Sequence, residues 1–234
     1  KSERQWARDL DIHAIAVVED GRRILSSVVA TQIEIHRPYM GVVPEIASRT
    51  HTEWIRDTFD SALADAGIGV EDIEGIAVTS RPGLVGSLLV GLSFAKGLSL
   101  ARSIPLVTVN HVQAHLYAPQ LEREIPYPFL GLLVSGGHTM ICRVEGVDQI
   151  QVMGTTIDDA CGEAYDKVAK HYGFGYPGGA IIDGMAQKGD EQAFSFPDPS
   201  LHKGEHRYDV SYSGLKTAVI NQLDQFFNEG HEKT

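Results

Sequence analysis

Residues 132–140 read Leu132-Leu133-Val134-Ser135-Gly136-Gly137-His138-Thr139-Met140. An apolar run meets Ser-Gly-Gly and then resumes, which predicts a strand, a tight turn and a second strand. Glycine at positions 136 and 137 allows positive φ and leaves backbone amides uncovered, so this turn is suited to holding phosphate or carboxylate oxygens. An ordinary β-hairpin is the alternative, and the turn alone does not decide between the two.

Strands and helices alternate on both sides of this turn. Strands are predicted at 14–18, 23–31, 73–79, 105–109, 129–134, 140–144 and 150–155. Helices are predicted at 44–66, 88–102, 162–172, 181–188 and 215–227, the last one capped by Ser213. A hairpin followed by helices occurs from Ala14 and again from Phe129. This order predicts an α/β protein of two related lobes with a cleft between them, divided into residues 1–128 and 129–234.

Composition narrows the class of protein. The chain has 234 residues, a hydrophobic fraction of 43% and a net charge of −11. An acidic surface repels nucleic acid, so a polynucleotide partner would need a local basic patch or another subunit. No apolar run is expected to span a bilayer, and no secretion signal is expected, because residues 1–6 lack an apolar segment. Two cysteines do not form a disulfide framework, so a cytoplasmic location is expected.

The first candidate for chemistry is a pair of histidines. His111 and His115 are four residues apart, which places both imidazoles on one face of a helix and allows them to share a metal ion. A chain with ten histidines can also contain such a pair by chance. Position 112 is Val112, where a zinc peptidase of the His-Glu-x-x-His type would need its glutamate.

Two further sets of candidate residues are acidic or glycine-rich. Asp158 and Asp159 either cap a helix or bind a ligand, whereas Asp166 lies within the predicted helix, so capping does not explain it. The glycines of Tyr176-Pro177-Gly178-Gly179 could admit a flat ligand against the backbone, with Asp183 one turn further. Neither set is specific by itself, and no general base or other catalytic residue is assigned.

Taken jointly, the motifs are similar to those of one family. They occur in this order: Gly41-Val42-Val43-Pro44-Glu45-Ile46-Ala47-Ser48-Arg49, Gly83-Leu84-Val85-Gly86-Ser87, Asn110-His111 with His115, Ser135-Gly136-Gly137-His138-Thr139, Asp158-Asp159-Ala160 with Gly162-Glu163-Ala164 and Asp166-Lys167, Tyr176-Pro177-Gly178-Gly179, and Ser211 with Ser213-Gly214-Leu215-Lys216-Thr217. The chain resembles the tRNA N6-adenosine threonylcarbamoyltransferase family, in its bacterial TsaD branch, from Ala14 to Leu223.

The resemblance implies an actin-like ATPase (ASKHA) fold of two ribonuclease-H-like lobes with an interlobe cleft. It implies transfer of a threonylcarbamoyl group from threonylcarbamoyl-adenylate, an AMP-type nucleotide, to N6 of the adenosine 3′ of the tRNA anticodon. The implied partners are tRNA, a paralogous TsaB-type subunit and a TsaE-type P-loop ATPase, with no membrane.

The resemblance also assigns residues. Family members bind one iron or zinc ion, and the motif match makes His111 and His115 ligands of that ion. The residues matched to the adenylate or nucleotide site are Leu133, Val134, Ser135, Gly136, Gly137, Asp166, Gly179 and Asp183. The alternatives are a metallo-endopeptidase, which Val112 disfavours, and a non-catalytic scaffold of the same fold.

Two departures from the family pattern lead to further expectations. The family's opening Glu-Thr-Ser-Cys-Asp-x-Thr signature, with its first phosphate loop, is replaced here by Asp9-Leu10-Asp11-Ile12-His13. The family's later second-lobe segment, with an adenine-contacting Asn and a third metal ligand, an Asp, is also not found. We therefore expect the chain to be incomplete, a weak metal binder and inactive by itself.

Overall fold

A computed structural model describes residues 12–39, 41–202 and 204–229. The replacement of the opening signature at positions 9–11 lies outside these residues. The chain divides into two compact units, one ending at Pro126 and the other beginning at Tyr127, and each is described by itself. The fold is mixed α/β, as predicted. The assignment of residues 1–128 and 129–234 to actin-like lobes stays a prediction.

The N-terminal unit begins with an antiparallel hairpin. Strands β1 (Ile12–Glu19) and β2 (Arg23–Thr31) pair through a turn in which Asp20 and Gly21 have φ of 51° and 70°. Helices α1 (Ile33–His36) and α2 (Pro44–Ala66) follow, and Gly67 ends α2 in the left-handed region with φ of 70°. The predicted hairpin and α2 are confirmed, whereas α1 was not predicted.

The buried face of α2 differs from its predicted apolar stripe. Helical periodicity in the sequence predicts an apolar stripe at Ile46, Trp54, Ile55, Phe59, Ala62, Leu63 and Ala66. Of these residues, Ala62 is buried and the others are half-buried. The fully buried positions include the polar residues Thr50, His51 and Thr58. Both threonine hydroxyls donate to carbonyl oxygens one turn earlier, at 2.9 Å, so their burial leaves no hydroxyl unpaired.

The N-terminal unit continues as a βαβ segment. Strands β3 (Ile76–Arg81) and β4 (Leu106–Asn110) pair in parallel and are joined by helix α3 (Val85–Arg102). Helix α4 (His111–Tyr117) begins where β4 ends. Both strands are confirmed, and α3 begins three residues earlier than predicted.

Helix α3 corrects one expectation from the sequence. By length and composition alone, it is long and apolar enough to cross a bilayer, with a mean hydropathy of 1.2 over 18 residues. The sequence had been expected to contain no such run. One helix of this kind is weak evidence for a membrane span, because core helices of soluble proteins pass the same test.

The C-terminal unit packs three helices with a three-stranded meander. Strands β5 (Phe129–Val134), β6 (Thr139–Gly146) and β7 (Gln149–Thr155) are antiparallel in the order β5-β6-β7. Helix α5 (Cys161–Tyr172) contacts α6 (Gly178–Ala186) and α7 (Tyr212–Asn228). Core side chains include Cys142 and Val144 from β6, and Val168 and Ala169 from α5. All three predicted strands and all three predicted helices are confirmed, although α6 and α7 each begin three residues before the predicted position.

Candidate functional site

The Ser-Gly-Gly turn forms between β5 and β6, as predicted. Its closing hydrogen bond runs from the Ser135 amide to the His138 carbonyl oxygen at 2.8 Å. The Ser135 hydroxyl oxygen accepts the amides of Gly137 at 3.3 Å and His138 at 3.0 Å. The expectation of uncovered amides, made for Gly136 and Gly137, is therefore wrong for Gly137, because the buried serine side chain accepts its amide.

The glycines of this turn matter because they lack a side chain, and neither adopts a positive φ. The positive φ values of described glycines occur elsewhere in the chain, so the turn does not use the left-handed region that the sequence allowed. A Cβ atom placed on Gly137 would meet no atom within 4 Å. The surface above Gly137 is therefore open to a ligand.

The turn is docked against the beginning of α5. The Gly162 amide donates to the Ser135 carbonyl oxygen at 3.3 Å, and the Cys161 amide donates to the Thr139 hydroxyl oxygen at 2.9 Å. A Cβ atom on Gly162 would lie 2.9 Å from the Gly136 Cα, closer than real contacts allow. Sequence reasoning missed the roles of Gly162 and Thr139, although both stand in the quoted motifs.

Asp166 connects α5 to the beginning of α6. Its carboxylate accepts the Gly178 amide at 2.7 Å, and a Cβ on Gly178 would lie 2.9 Å from the Asp166 Cα. Asp166 lies within α5 but caps the following helix, α6. The argument from the sequence, that capping does not explain Asp166, is therefore wrong. This cap also explains why α6 begins at Gly178.

The two glycines of α6 have different surroundings. Gly178 is buried against α5, whereas the nearest atom to a Cβ on Gly179 would be the Tyr165 Cβ at 4.0 Å. The Gly179 amide lies in the first helical turn, where no intrahelical acceptor exists. Asp183 is exposed on the same helix. The structure thus brings Asp166 and Gly179 together, with Gly179 the glycine that leaves room for a ligand.

Asp158 and Asp159 are engaged within the protein. Asp158 caps α7 by accepting the Ser211 hydroxyl at 2.6 Å and the amides of Tyr212 at 2.8 Å and Ser213 at 3.1 Å. Burial acts to raise its pKa, but these hydrogen bonds outweigh burial and hold the pKa of Asp158 below its ordinary value. The predicted cap, Ser213, instead lies inside α7.

Asp159 is a buried carboxylate between two lysines. The Lys167 and Lys216 ammonium groups lie 2.5 Å and 2.6 Å from its two oxygens. Burial acts to raise its pKa, but the hydrogen bonds and charges of both lysines hold the pKa of Asp159 below its ordinary value. Both aspartates therefore tie the beginning of α5 to α7, and the ligand-binding alternative loses its support.

His111 and His115 lie together on α4 in the N-terminal unit. Asn110 caps this helix by accepting the amides of Val112 at 2.9 Å and Gln113 at 3.4 Å. The two Nε2 atoms lie 3.1 Å apart. Two zinc–nitrogen bonds at a tetrahedral angle place the nitrogens about 3.3 Å apart, so this geometry fits a shared ion. Within residues 12–39, 41–202 and 204–229, no group of three or more His, Cys, Asp or Glu could hold a metal.

A second histidine cluster in the N-terminal unit was not predicted. The Val43 amide donates to His36 Nδ1 at 3.3 Å, so His36 carries its proton on Nε2 and donates to Gln32 Oε1 at 3.2 Å. Gln32 Nε2 in turn faces His51 Nδ1 at 3.4 Å. His51 Nδ1 is therefore an acceptor, and His13 Nδ1 donates to it at 2.9 Å. We call His13, Gln32, His36 and His51 the histidine relay.

The relay is buried and uncharged. Burial lowers the pKa of His13. Burial, together with the repulsion that protonated His13 and His36 would exert, lowers the pKa of His51 to about 4. His13 Nε2 is left as a buried acceptor without a partner among the residues that the structure describes. No local spacing signals this cluster, because its members come from β1, α1, α2 and the residue before α1.

The fold and these clusters define an α/β protein with a candidate nucleotide-binding turn and a candidate metal-binding pair. The family model for TsaD, tRNA N6-adenosine threonylcarbamoyltransferase, matches residues 23–233. The chain belongs to this family.

Curated relatives carry the name tRNA N6-adenosine threonylcarbamoyltransferase. Identity is 63% to the relative from Treponema denticola, over 96% of this chain and 66% of the relative. Identity is 56% to the relative from Treponema pallidum, over 96% of this chain and 64% of the relative. It is 52% to the relative from Borrelia hermsii, over 94% of this chain and 64% of the relative. The chain thus spans just under two thirds of the length of the curated relatives it matches. A solved structure, YeaZ from Pseudomonas aeruginosa, matches at 14% identity and a TM-score of 0.39, covering 61% of this chain and 64% of that chain, and at this level the match carries no argument.

Proposed function

We propose that this chain takes part in transfer of a threonylcarbamoyl group from threonylcarbamoyl-adenylate to N6 of the adenosine 3′ of the anticodon in tRNA. The observation that carries the proposal is that the family's turn, Ser135–Gly137, is formed and joined through α5 to Asp166 and Gly179 within one unit. In the reaction, the adenosine N6 attacks the carbamoyl carbon and a new N–C bond forms. The bond from that carbon to the phosphate oxygen breaks, AMP leaves, and the amine loses one proton.

The C-terminal unit would bind the adenylate. The open surface above Gly137 and the first-turn amide of Gly179 offer close approach and hydrogen-bond donors to phosphate or ribose oxygens. Leu133 is buried and Val134 is half-exposed on β5, where they hold the strand that leads into the turn. Asp166 keeps α6 in place. The exposed carboxylate of Asp183 would accept hydrogen bonds from the ribose hydroxyls. Such positioning lowers the entropic cost of bringing the two substrates together.

His111 and His115 would hold one iron or zinc ion in the N-terminal unit. When bound, the ion would supply electrostatic polarisation of a substrate oxygen. The converging Nε2 atoms support this assignment. We propose further that the whole protein has an actin-like fold, with the third metal ligand outside residues 12–39, 41–202 and 204–229.

The proposed setting is the cytoplasm, with tRNA and with TsaB-type and TsaE-type proteins as partners. A net charge of −11 supports shared tRNA binding, because an acidic chain needs additional positive surface to approach phosphates. The metallo-endopeptidase and scaffold alternatives are not favoured, since the chain belongs to a transferase family and has Val112 where the peptidase needs glutamate.

The proposal is tested by incubating the protein and its proposed partners with threonylcarbamoyl-adenylate and an unmodified tRNA transcript. Mass spectrometry of the digested tRNA should detect threonylcarbamoyladenosine. A transcript with guanosine at the target position serves as the control and should stay unmodified. Absence of the product from the adenosine transcript, with all partners, the family's opening signature and its later second-lobe segment present, contradicts the proposed function.

A further inference from the structure

We propose that Thr139 is a positioning residue, whose hydroxyl sets the spacing between the Ser135–Gly137 turn and helix α5. The inference rests on the proposed nucleotide site but concerns a residue outside it. Thr139 is the first residue of β6 and is only 5% exposed. Its hydroxyl is engaged with the protein, so it acts on a ligand through its neighbours and is not a catalytic residue.

The contacts of Thr139 join three elements. Its hydroxyl oxygen accepts the amide of Cys161, the first residue of α5, at 2.9 Å. This amide has no acceptor within its own helix, so the Thr139 hydroxyl supplies the cap. The Thr139 carbonyl oxygen accepts the Thr156 amide at 2.9 Å and the Thr155 hydroxyl at 3.2 Å, both at the end of β7. Thr139 therefore fixes the start of α5 relative to the sheet.

The neighbouring contact shows how closely that position is set. The Gly162 amide donates to the Ser135 carbonyl oxygen at 3.3 Å, and a Cβ on Gly162 would lie 2.9 Å from the Gly136 Cα. The turn and the helix touch through their backbones with no space between them. A shift of α5 by a few tenths of an ångström must therefore move the turn or open this contact.

Helix α5 carries the other side of the proposed site. Asp166 lies on α5, and its carboxylate holds the Gly178 amide at 2.7 Å, which places Gly179 beside it. The position of α5 therefore sets the distance from the turn to Asp166 and Gly179. A nucleotide that touches both sides needs that distance to be correct, because misplaced groups lose binding and rate steeply.

The test compares two variants of Thr139 in the full chain. Thr139→Val keeps the shape but removes the hydroxyl, whereas Thr139→Ser keeps the hydroxyl. Calorimetric titration with AMP should show affinity about tenfold weaker for Thr139→Val and within about threefold of wild type for Thr139→Ser, because only Thr139→Val releases the start of α5 and misplaces the two sides of the site. Thr58→Val is the matched control: Thr58 is also 5% exposed, and its hydroxyl bonds within α2, so AMP affinity should not change.

The outcomes separate this inference from the proposed function. If wild type does not bind AMP, the proposed nucleotide site is wrong. If wild type binds AMP and a folded Thr139→Val binds it equally well, the positioning role is wrong and the nucleotide site stands. The same conclusion follows if the AMP affinity of Thr139→Ser is as weak as that of Thr139→Val. Should Thr139→Val fail to fold, Gly162→Ala tests the same spacing through a different contact, because its Cβ would lie 2.9 Å from the Gly136 Cα. It should also weaken AMP binding, and unchanged affinity would overturn the inference.

Discussion

The Nδ1 atoms of His13 and His51 lie 2.9 Å apart, although the residues are 38 positions apart in the chain. Both are buried, and the hydrogen bonds of the histidine relay require His51 to be neutral, because its Nδ1 accepts. The charged form of His51 is disfavoured by burial and by the other two histidines. The contact therefore makes the stability of the N-terminal unit depend on pH.

Acid is expected to destabilise the protein between pH 6.5 and about 4. The pKa of His51 is 6.5 in the unfolded chain and about 4 in the folded one, so the unfolded state binds more protons in this window. The stabilisation is fully present above pH 6.5 and is lost as the pH falls toward 4, at up to about 1.4 kcal/mol per pH unit for His51. Urea unfolding at several pH values measures this slope.

A variant isolates the relay in that experiment. His51→Asn removes the titrating group, so the slope between pH 6.5 and 4 should flatten, whereas exposed His202→Asn should leave it unchanged. Asp158 and Asp159 have pKa values below 3.8, so their stabilisation is lost below this window. An equally steep slope in His51→Asn would contradict the role of the relay.

His115→Ala is expected to reduce metal binding to near the background level. The substitution removes the imidazole whose Nε2 lies 3.1 Å from that of His111, so chelation by two rings would be lost. Zinc titration and metal analysis of the purified protein measure the effect. His206→Ala, which removes an exposed histidine from the C-terminal unit, is the control. Equal zinc binding by wild type and His115→Ala would remove the metal assignment.

Gly137→Val is expected to weaken AMP binding by at least about tenfold without unfolding the protein. A Cβ atom at Gly137 meets no protein atom within 4 Å, so the valine side chain would extend into the space proposed for the ligand. Gly75→Val, at another open glycine in the N-terminal unit, is the matched control. Calorimetry that finds the same AMP affinity in Gly137→Val and wild type would show that the ligand does not lie above this turn.

Asp158→Ala is expected to lower the free energy of unfolding by about 1–2 kcal/mol, as for loss of a helix cap. Three hydrogen bonds from the beginning of α7 would lose their acceptor. Asp148→Ala, in the exposed β6–β7 turn, serves as the control and should change the free energy by less than about 0.5 kcal/mol. Equal denaturation midpoints for the two variants would contradict the capping role.

Periodicity and turn residues predicted the order of elements well. The Asp20-Gly21 hairpin, helix α2 and the meander around Ser135–Gly137 were each visible in a short window of sequence. The contacts that position the candidate site were not, because their partners are distant in the chain. Asp158 caps a helix 54 residues later, and Thr139 caps one 22 residues later. Local patterns cannot reveal such pairs.

The histidine relay was missed for the same reason. Positions 50, 51 and 58 of α2 are polar, so periodicity assigned the buried face to the apolar residues instead. Their burial becomes understandable only when His13 and Gln32 are seen opposite His51. Sequence reasoning identified Asp166 as unusual, and only the structure showed that it holds α6.

Each of the helices α5, α6 and α7 starts with an amide held by an acceptor on another element: Thr139, Asp166 and Asp158. A peptide cut out around any one of them would lack the group that stops its first turn from fraying. These helices should consequently melt as one cooperative block. Amide hydrogen exchange in all three would then proceed through a common opening rather than at separate rates.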